Sequence, residues 1–256
     1  MLIAAAVCPC PPLLVPEVAA GAAPELDGLR AACSEAVRAL AAARPDCLIV
    51  VGPADLAGRG KHAQGAAGSF RGFGVELDVR LAAPTAEGTS GGDAAGRGPS
   101  PELPPSPPTL PTSLAVGAWL LEHAGWDAAV PVEGLGVGEP LAAERCIEVG
   151  RELAGRAERV ALLVMGDGTA CRTLKAPGYL DERAAPFDAE VARALAAADT
   201  GALAALDEEL AYELKAAGRA PMQVLAGAGE GARLKGELRY DEAPYGVGYF
   251  VASWLS

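Results

Sequence analysis

The chain has 256 residues, of which 56 are Ala and 32 Gly; half are apolar but only 5% aromatic, so its core must be built from small aliphatic side chains. Lys and Arg number 21 against 33 Asp and Glu, a net charge of −12. That balance excludes a general binder of nucleic acid or anionic membrane, because no surplus of cations exists to displace counterions.

The first segment, residues 2–8, is a continuous apolar run and predicts a strand buried on both faces. It lacks a basic leader and runs into Pro11, Pro12 and Glu17, so it does not read as a signal peptide. Leu26, Leu29, Cys33, Val37 and Leu40 recur at helical spacing and predict a helix over 25–43. Arg44-Pro45-Asp46 ends it, and residues 47–51 form a second apolar strand before Gly52-Pro53. Strand, helix and strand with a Gly/Pro loop after each strand predict a βαβ unit and a largely parallel sheet. Val75, Leu77, Val79 and Leu81 alternate with polar residues, as in a half-exposed edge strand.

Residues 84–111 carry almost no large apolar side chain, and seven of the thirteen residues from Pro99 to Pro111 are proline. Such a composition cannot build a core, and a flexible surface loop is expected within one domain spanning 1–256. Thr112 or Ser113 is placed to cap a helix ending at Gly125. Further expectations are a strand over 128–132, an amphipathic helix over 139–155 and a third apolar strand over 159–165. Helices follow over 187–198 and 207–217, then a Gly-rich apolar segment over 222–231 and closing strands over 234–240 and 246–254. The fold class expected is a single α/β domain with a largely parallel or mixed central sheet flanked by helices. No apolar run is long enough to span a bilayer, so no membrane association is expected. Six Cys without an export signal point to a reducing cytoplasm and free thiols.

In open α/β sheets ligands bind beyond the carboxyl ends of the strands. Three apolar strands lead into loops carrying Cys8 and Cys10, Asp55, and Asp167 with Cys171. Thiol and carboxylate together suit a soft or borderline metal, and a thiol alone is a candidate nucleophile. The chain has two histidines, His62 in a Gly-rich loop and His123 near a helix end. No phosphate-binding Gly motif, HExxH or Gly-x-Ser-x-Gly element occurs.

Taken in order, these segments resemble the class III extradiol ring-cleavage dioxygenases and the Memo proteins related to them. Cys-Pro-Cys-Pro-Pro after the first strand is similar to the family's His-Pro-Pro loop. Val-Val-Gly-Pro-Ala-Asp-Leu resembles the segment that carries its second His. Leu-Val-Met-Gly-Asp-Gly-Thr-Ala-Cys resembles the loop of its acid/base His. Pro186-Phe187-Asp188, Gly218-Arg219-Ala220-Pro221 and the last strand resemble further family segments. The resemblance implies an α/β domain, aromatic ring opening and an Fe(II) held by two His and one carboxylate. Here the first His position holds Cys10, the second falls at Asp55 or Leu56, and the acid/base position falls at Ala170 beside Cys171. Candidates for the carboxylate ligand are Glu237, Asp241 and Glu242.

The expectation is therefore a ring-opening-dioxygenase-like oxidoreductase fold without the two-His Fe(II) site. Cys10, Asp167 and Cys171 are its candidate catalytic groups. Cys10, Asp55, His62 and Glu242 are its candidate ligands for Fe(II) or copper, with a small molecule in the strand-end cleft. Two alternatives are a binding or assembly subunit, homo-oligomeric or paired with a partner subunit, and a Memo-like copper or iron redox protein using Cys8, Cys10 and Cys171.

Overall fold

A computed structural model describes residues 1–82, 109–127 and 129–256. The anticipated loop over 84–111 falls outside the described residues except at 109–111. Strand β1 (Leu2–Cys8) is buried along its whole length. A short turn of helix, α1 (Pro16–Ala19), leads to α2 (Asp27–Ala42), which buries Leu29, Cys33, Ala36, Val37 and Leu40 as one stripe. Then come β2 (Cys47–Pro53), β3 (Gly60–His62), β4 (Ala67–Ser69) and β5 (Asp78–Arg80). Helix α3 (Thr112–Ala124) stops where Gly125 takes φ +73°, as the sequence leads one to expect. The second half adds β6 (Val132–Val137), α4 (Ala143–Ala154), β7 (Val160–Met165), α5 (Ala184–Ala197), α6 (Thr200–Ala204) and α7 (Glu208–Glu213). It closes with α8 (Arg219–Gly229), β8 (Lys235–Glu242) and β9 (Tyr249–Leu255).

Seven strands form one mixed sheet in the order β3-β6-β2-β7-β1-β9-β8. The central four, β6, β2, β7 and β1, are parallel, while β3, β9 and β8 run antiparallel to their neighbours. All six residues of β7 are buried, as its unbroken apolar run requires of a central parallel strand. One core lies on the face covered by α2 and α3 and the other on the face covered by α4, α5 and α8.

Five expectations shift. The strand anticipated at 128–132 is β6, at 132–137, four to five residues later. Its glycines hid it from a search for branched residues: a Cβ at Gly134 would meet Leu81, His62 and Leu114, and one at Gly136 would meet the Gly58 carbonyl at 2.0 Å. The helix anticipated from 139 starts at Ala143, leaving Gly138, Glu139 and Pro140 as a strand-end loop. The alternation at 75–81 yields only β5, paired with β4 in a separate hairpin. The Gly-rich segment at 222–231 is the body of α8, where small residues admit a neighbouring helix. Neither Thr112 nor Ser113 caps α3; the Ser113 hydroxyl instead donates to the Pro53 carbonyl at 2.6 Å.

Candidate functional site

The register aligns the carboxyl ends of the four parallel strands, with Cys8 opposite Met165 and Pro53 opposite Val137. Four loops leave this rim, and they carry Cys10, Asp55, Glu139 and Asp167. A cleft of about 590 Å³ opens there, lined among others by Cys10, Pro53, Asp55, Gly58 and Ser113. Its volume suits a small molecule. The Ser113 contact fixes the wall: a Cβ at Gly52 would lie 2.6 Å from the Ser113 hydroxyl, so only Gly lets α3 approach β2 this closely.

Asp167 and Cys10 are tied directly, the Cys10 N–H donating to Asp167 Oδ1 at 2.8 Å. The loop behind Asp167 is braced from two sides. Gly218 N–H donates to the Asp167 carbonyl at 2.7 Å, and Gly166 meets Gly218 so closely that a Cβ would lie 2.6 Å from its Cα. On α5, buried Asp188 accepts from Thr169 N–H, the Thr169 hydroxyl and Arg172, each at 2.9 Å.

Burial pushes the Asp167 carboxyl up to about 6, against the opposing hydrogen bonds from Cys10. Burial also raises Glu139, to about 7, and Arg219 only partly offsets it. One Glu139 carboxyl oxygen, Oε1, is buried without a hydrogen-bond partner. Arg219 holds this loop through its backbone instead, donating to the carbonyls of Leu141, at 2.6 Å, and Glu139. Burial, then Asp167 and Glu139, raise the Cys10 thiol well above its usual range. Burial likewise raises the Tyr249 phenol beside Asp167. Asp167 and Glu139 therefore titrate near neutral pH at the strand ends, while Cys10 stays a neutral thiol there. This removes the thiolate that nucleophilic or ligand roles for Cys10 require.

Of the predicted ligands, Cys10 and Asp55 do share the cleft, but Asp55 is exposed and its Oδ1 accepts from Gly58 N–H at 3.0 Å as the cap of a short turn. His62 stands behind the wall: buried in β3, it lies 2.9 Å from the Gly58 carbonyl through Nε2, and its Nδ1 has no partner. A carbonyl can only accept, so Nε2 carries the proton and is no metal ligand. Glu242 is exposed on β8, the far edge of the sheet, and accepts from the Tyr240 hydroxyl. His123 stacks on Trp119 at 4.0 Å, its Nδ1 against the Trp119 carbonyl. Among the described residues no group of three His, Cys, Asp or Glu is placed to hold a metal.

The three-sulfur reading is also corrected. Cys171 belongs to the core on the opposite face from Cys10, and its thiol donates to the Leu214 carbonyl at 3.4 Å. Its expected catalytic role fails for the same reason. Cys8 lies against Cys33 of α2. The residue the sequence reading missed is Glu139. It was placed inside a helix, and only a β6 ending at Val137 moves it to the rim. The dipeptide Glu139-Pro140 is the available signal, since Pro disfavours helix for the residue before it.

Raised carboxyls have a defined linkage. Each favours the folded state fully below the ordinary carboxyl range, and that advantage is lost as pH rises through about 6 for Asp167 and about 7 for Glu139. At most about 3 kcal/mol is at stake for each. Urea unfolding of the wild type and Asp167→Asn from pH 4.5 to 8 is expected to show the wild type weakening relative to the variant. A pH-independent difference between the two would mean that Asp167 titrates normally.

Fold and rim together define an α/β domain with a mixed seven-stranded sheet and an acidic strand-end cleft. A similar solved structure is that of an uncharacterized protein, JW3007, from Escherichia coli K12: 16% identity, a TM-score of 0.55, and coverage of 99% of this chain and 100% of that one. A likeness at this identity establishes the fold. No protein-family model matches the chain, and neither does any curated protein. No helix among the described residues is long and apolar enough to cross a membrane.

Proposed function

We propose that the strand-end cleft binds a small molecule and transfers a proton on it, in a domain that resembles the ring-opening extradiol dioxygenases but does not use their iron. The observation that carries this is the Asp167 carboxyl bonded at 2.8 Å to the N–H of Cys10, a cleft residue, beside a Glu139 whose Oε1 is buried without a partner; burial raises the two carboxyls to about 6 and about 7. A general acid or base works best when its pKa lies near the working pH.

The family's Fe(II) does not fit the residues present. Both imidazoles are engaged away from the rim, and Cys10 is held as a thiol. Iron needs neutral imidazoles and ionised carboxylates. Six free cysteines agree with a reducing cytoplasmic setting.

Deuterium exchange tests the reading. Wild type, Asp167→Asn and Glu139→Gln are incubated in D₂O with a panel of phenols and enolisable ketones, and label uptake is followed by NMR. Wild type should exceed the buffer rate for at least one compound, with a loss of about a hundredfold or more in Asp167→Asn. Exchange at the buffer rate throughout, or an unimpaired Asp167→Asn, rejects it. Ring opening of a catechol on addition of Fe(II) would restore the iron chemistry instead.

A further inference from the structure

We infer that Tyr249 is a further catalytic residue, whose phenol donates a hydrogen bond to a carbonyl oxygen of the substrate while Asp167 takes the proton from the adjacent carbon. The inference rests on the proton-transfer reading and names its substrate class, a carbon acid activated by a carbonyl. Tyr249 opens β9, which runs antiparallel to β1 with Ala252 opposite Val7, so the start of β9 lies beside the end of β1. The residue before it is stitched to the loop that carries Asp167. Gly168 N–H donates to the Gly248 carbonyl at 2.7 Å, and Gly248 N–H donates to the Thr169 carbonyl at 2.8 Å. Both must be glycine, because a Cβ at either would press on the Asp188 oxygens, at 2.8 and 2.5 Å. The loop after β7 thus crosses the end of β1 to reach β9. The Tyr249 ring packs in the same core as Cys10, the cleft residue that Asp167 holds.

A buried phenol ordinarily has a hydrogen-bond partner. Tyr249 is 2% exposed, and its hydroxyl bonds to none of the described residues. The other two tyrosines of this corner are engaged, Tyr240 with Glu242 and Tyr245 with Glu25. Asp167 is bonded on one oxygen only: Oδ1 accepts from Cys10 N–H, while Oδ2 has no partner among the described residues. A donor and an acceptor therefore stand open at one end of the sheet. Their chemistry is complementary. When a base removes a proton next to a carbonyl, the C–H electron pair moves toward the carbonyl oxygen, and a fixed donor at that oxygen stabilises the enolate. The proton passes to Asp167 Oδ2, and the step needs no oxidant. Burial, then the Asp167 charge, raise the phenol above its ordinary range, so Tyr249 keeps its proton and acts as a donor, not as a second base.

Two probes separate the roles: cyclohexanone, for exchange of its α-hydrogens in D₂O, and acetylacetone, whose enolate has its own ultraviolet band. Both are applied to wild type, Tyr249→Phe and Asp167→Asn. Tyr249→Phe keeps the ring and its packing, and circular dichroism with thermal unfolding establishes that it is folded. It should lower kcat for exchange about a hundred- to thousandfold with KM little changed, the pattern of a contact made in the transition state. It should also weaken binding of the acetylacetone enolate on the order of tenfold. Asp167→Asn should lose exchange and still bind the enolate. Exchange by Tyr249→Phe within about threefold of wild type, enolate binding unchanged by that substitution, or no enolate binding by wild type would overturn the inference. Failure of the proton-transfer reading alone looks different: wild type exchanges no compound, while enolate binding still follows the Tyr249 hydroxyl.

Discussion

Asp188→Ala is expected to lower stability by about 3–5 kcal/mol, the range for removing one partner of a buried, bonded charge. The side chain is 1% exposed and gathers three donors from one loop: Thr169 N–H, the Thr169 hydroxyl and Arg172. Gly168 and Gly248 close around it, with Cβ positions only 2.8 and 2.5 Å from its oxygens, so no larger neighbour can fill the hole left by Ala. Burial raises the Asp188 carboxyl, while these bonds oppose the shift. Asp188→Asn keeps an acceptor for the Thr169 N–H, but its amide nitrogen cannot accept from Arg172, so a smaller loss of about 1–3 kcal/mol is expected. Because Thr169 is two residues from Asp167, the Ala variant should also let the Asp167 carboxyl drift toward its ordinary range. Urea unfolding and a carboxyl NMR titration measure both effects. An Ala variant as stable as wild type would mean that the loop after β7 is braced elsewhere.

Gly227→Val should cost at least about 3 kcal/mol, since the clash is with backbone that cannot rotate away. Helices α4 and α8 cross with their main chains almost touching. A Cβ at Gly227 would lie 2.0 Å from the Ile147 carbonyl oxygen, and one at Gly150 would lie 2.1 Å from that of Val224. Gly155→Ala is the control, because its Cβ would meet nothing nearer than 3.5 Å; it should change stability by about 0.5 kcal/mol or less. Thermal unfolding of the three proteins decides the matter, and equal midpoints for Gly227→Val and Gly155→Ala would contradict the packing. A displaced α8 would carry Arg219 and Gln223 with it, so the Glu139 loop should loosen first.

The sequence announced the strands that are apolar throughout. Residues 2–8, 47–51 and 159–165 needed no tertiary information, because burial on both faces writes itself as an unbroken apolar run. It misplaced β6, whose Gly134 and Gly136 exist for the sake of His62, Leu114 and Gly58, residues distant along the chain. It also missed α8, whose glycines look like loop until α4 is set against them. For the site, strand-end logic brought Cys10, Asp55 and Asp167 to one rim. It could not see that the Cys171 side chain turns to the opposite face, or that His62 is occupied by a carbonyl one strand away. Side-chain direction at a loop depends on φ and ψ, which residue type alone does not set. Glu139 emerged only after β6 was in place.

The strand order also bears on how the chain reaches this state. β7 sits at the middle of the sheet, yet its partners β1 and β2 precede it by more than a hundred residues, and β1 is flanked on its other side by β9 from the far end of the chain. Neither early strand can complete its ladder until much later segments exist. Such non-local pairing makes folding slow and leaves apolar edges uncovered during synthesis. The strands at risk are the same Ala- and Val-rich runs that were easiest to read, so a growing chain would present β1 and β2 as substrates for chaperones until β7 arrives between them.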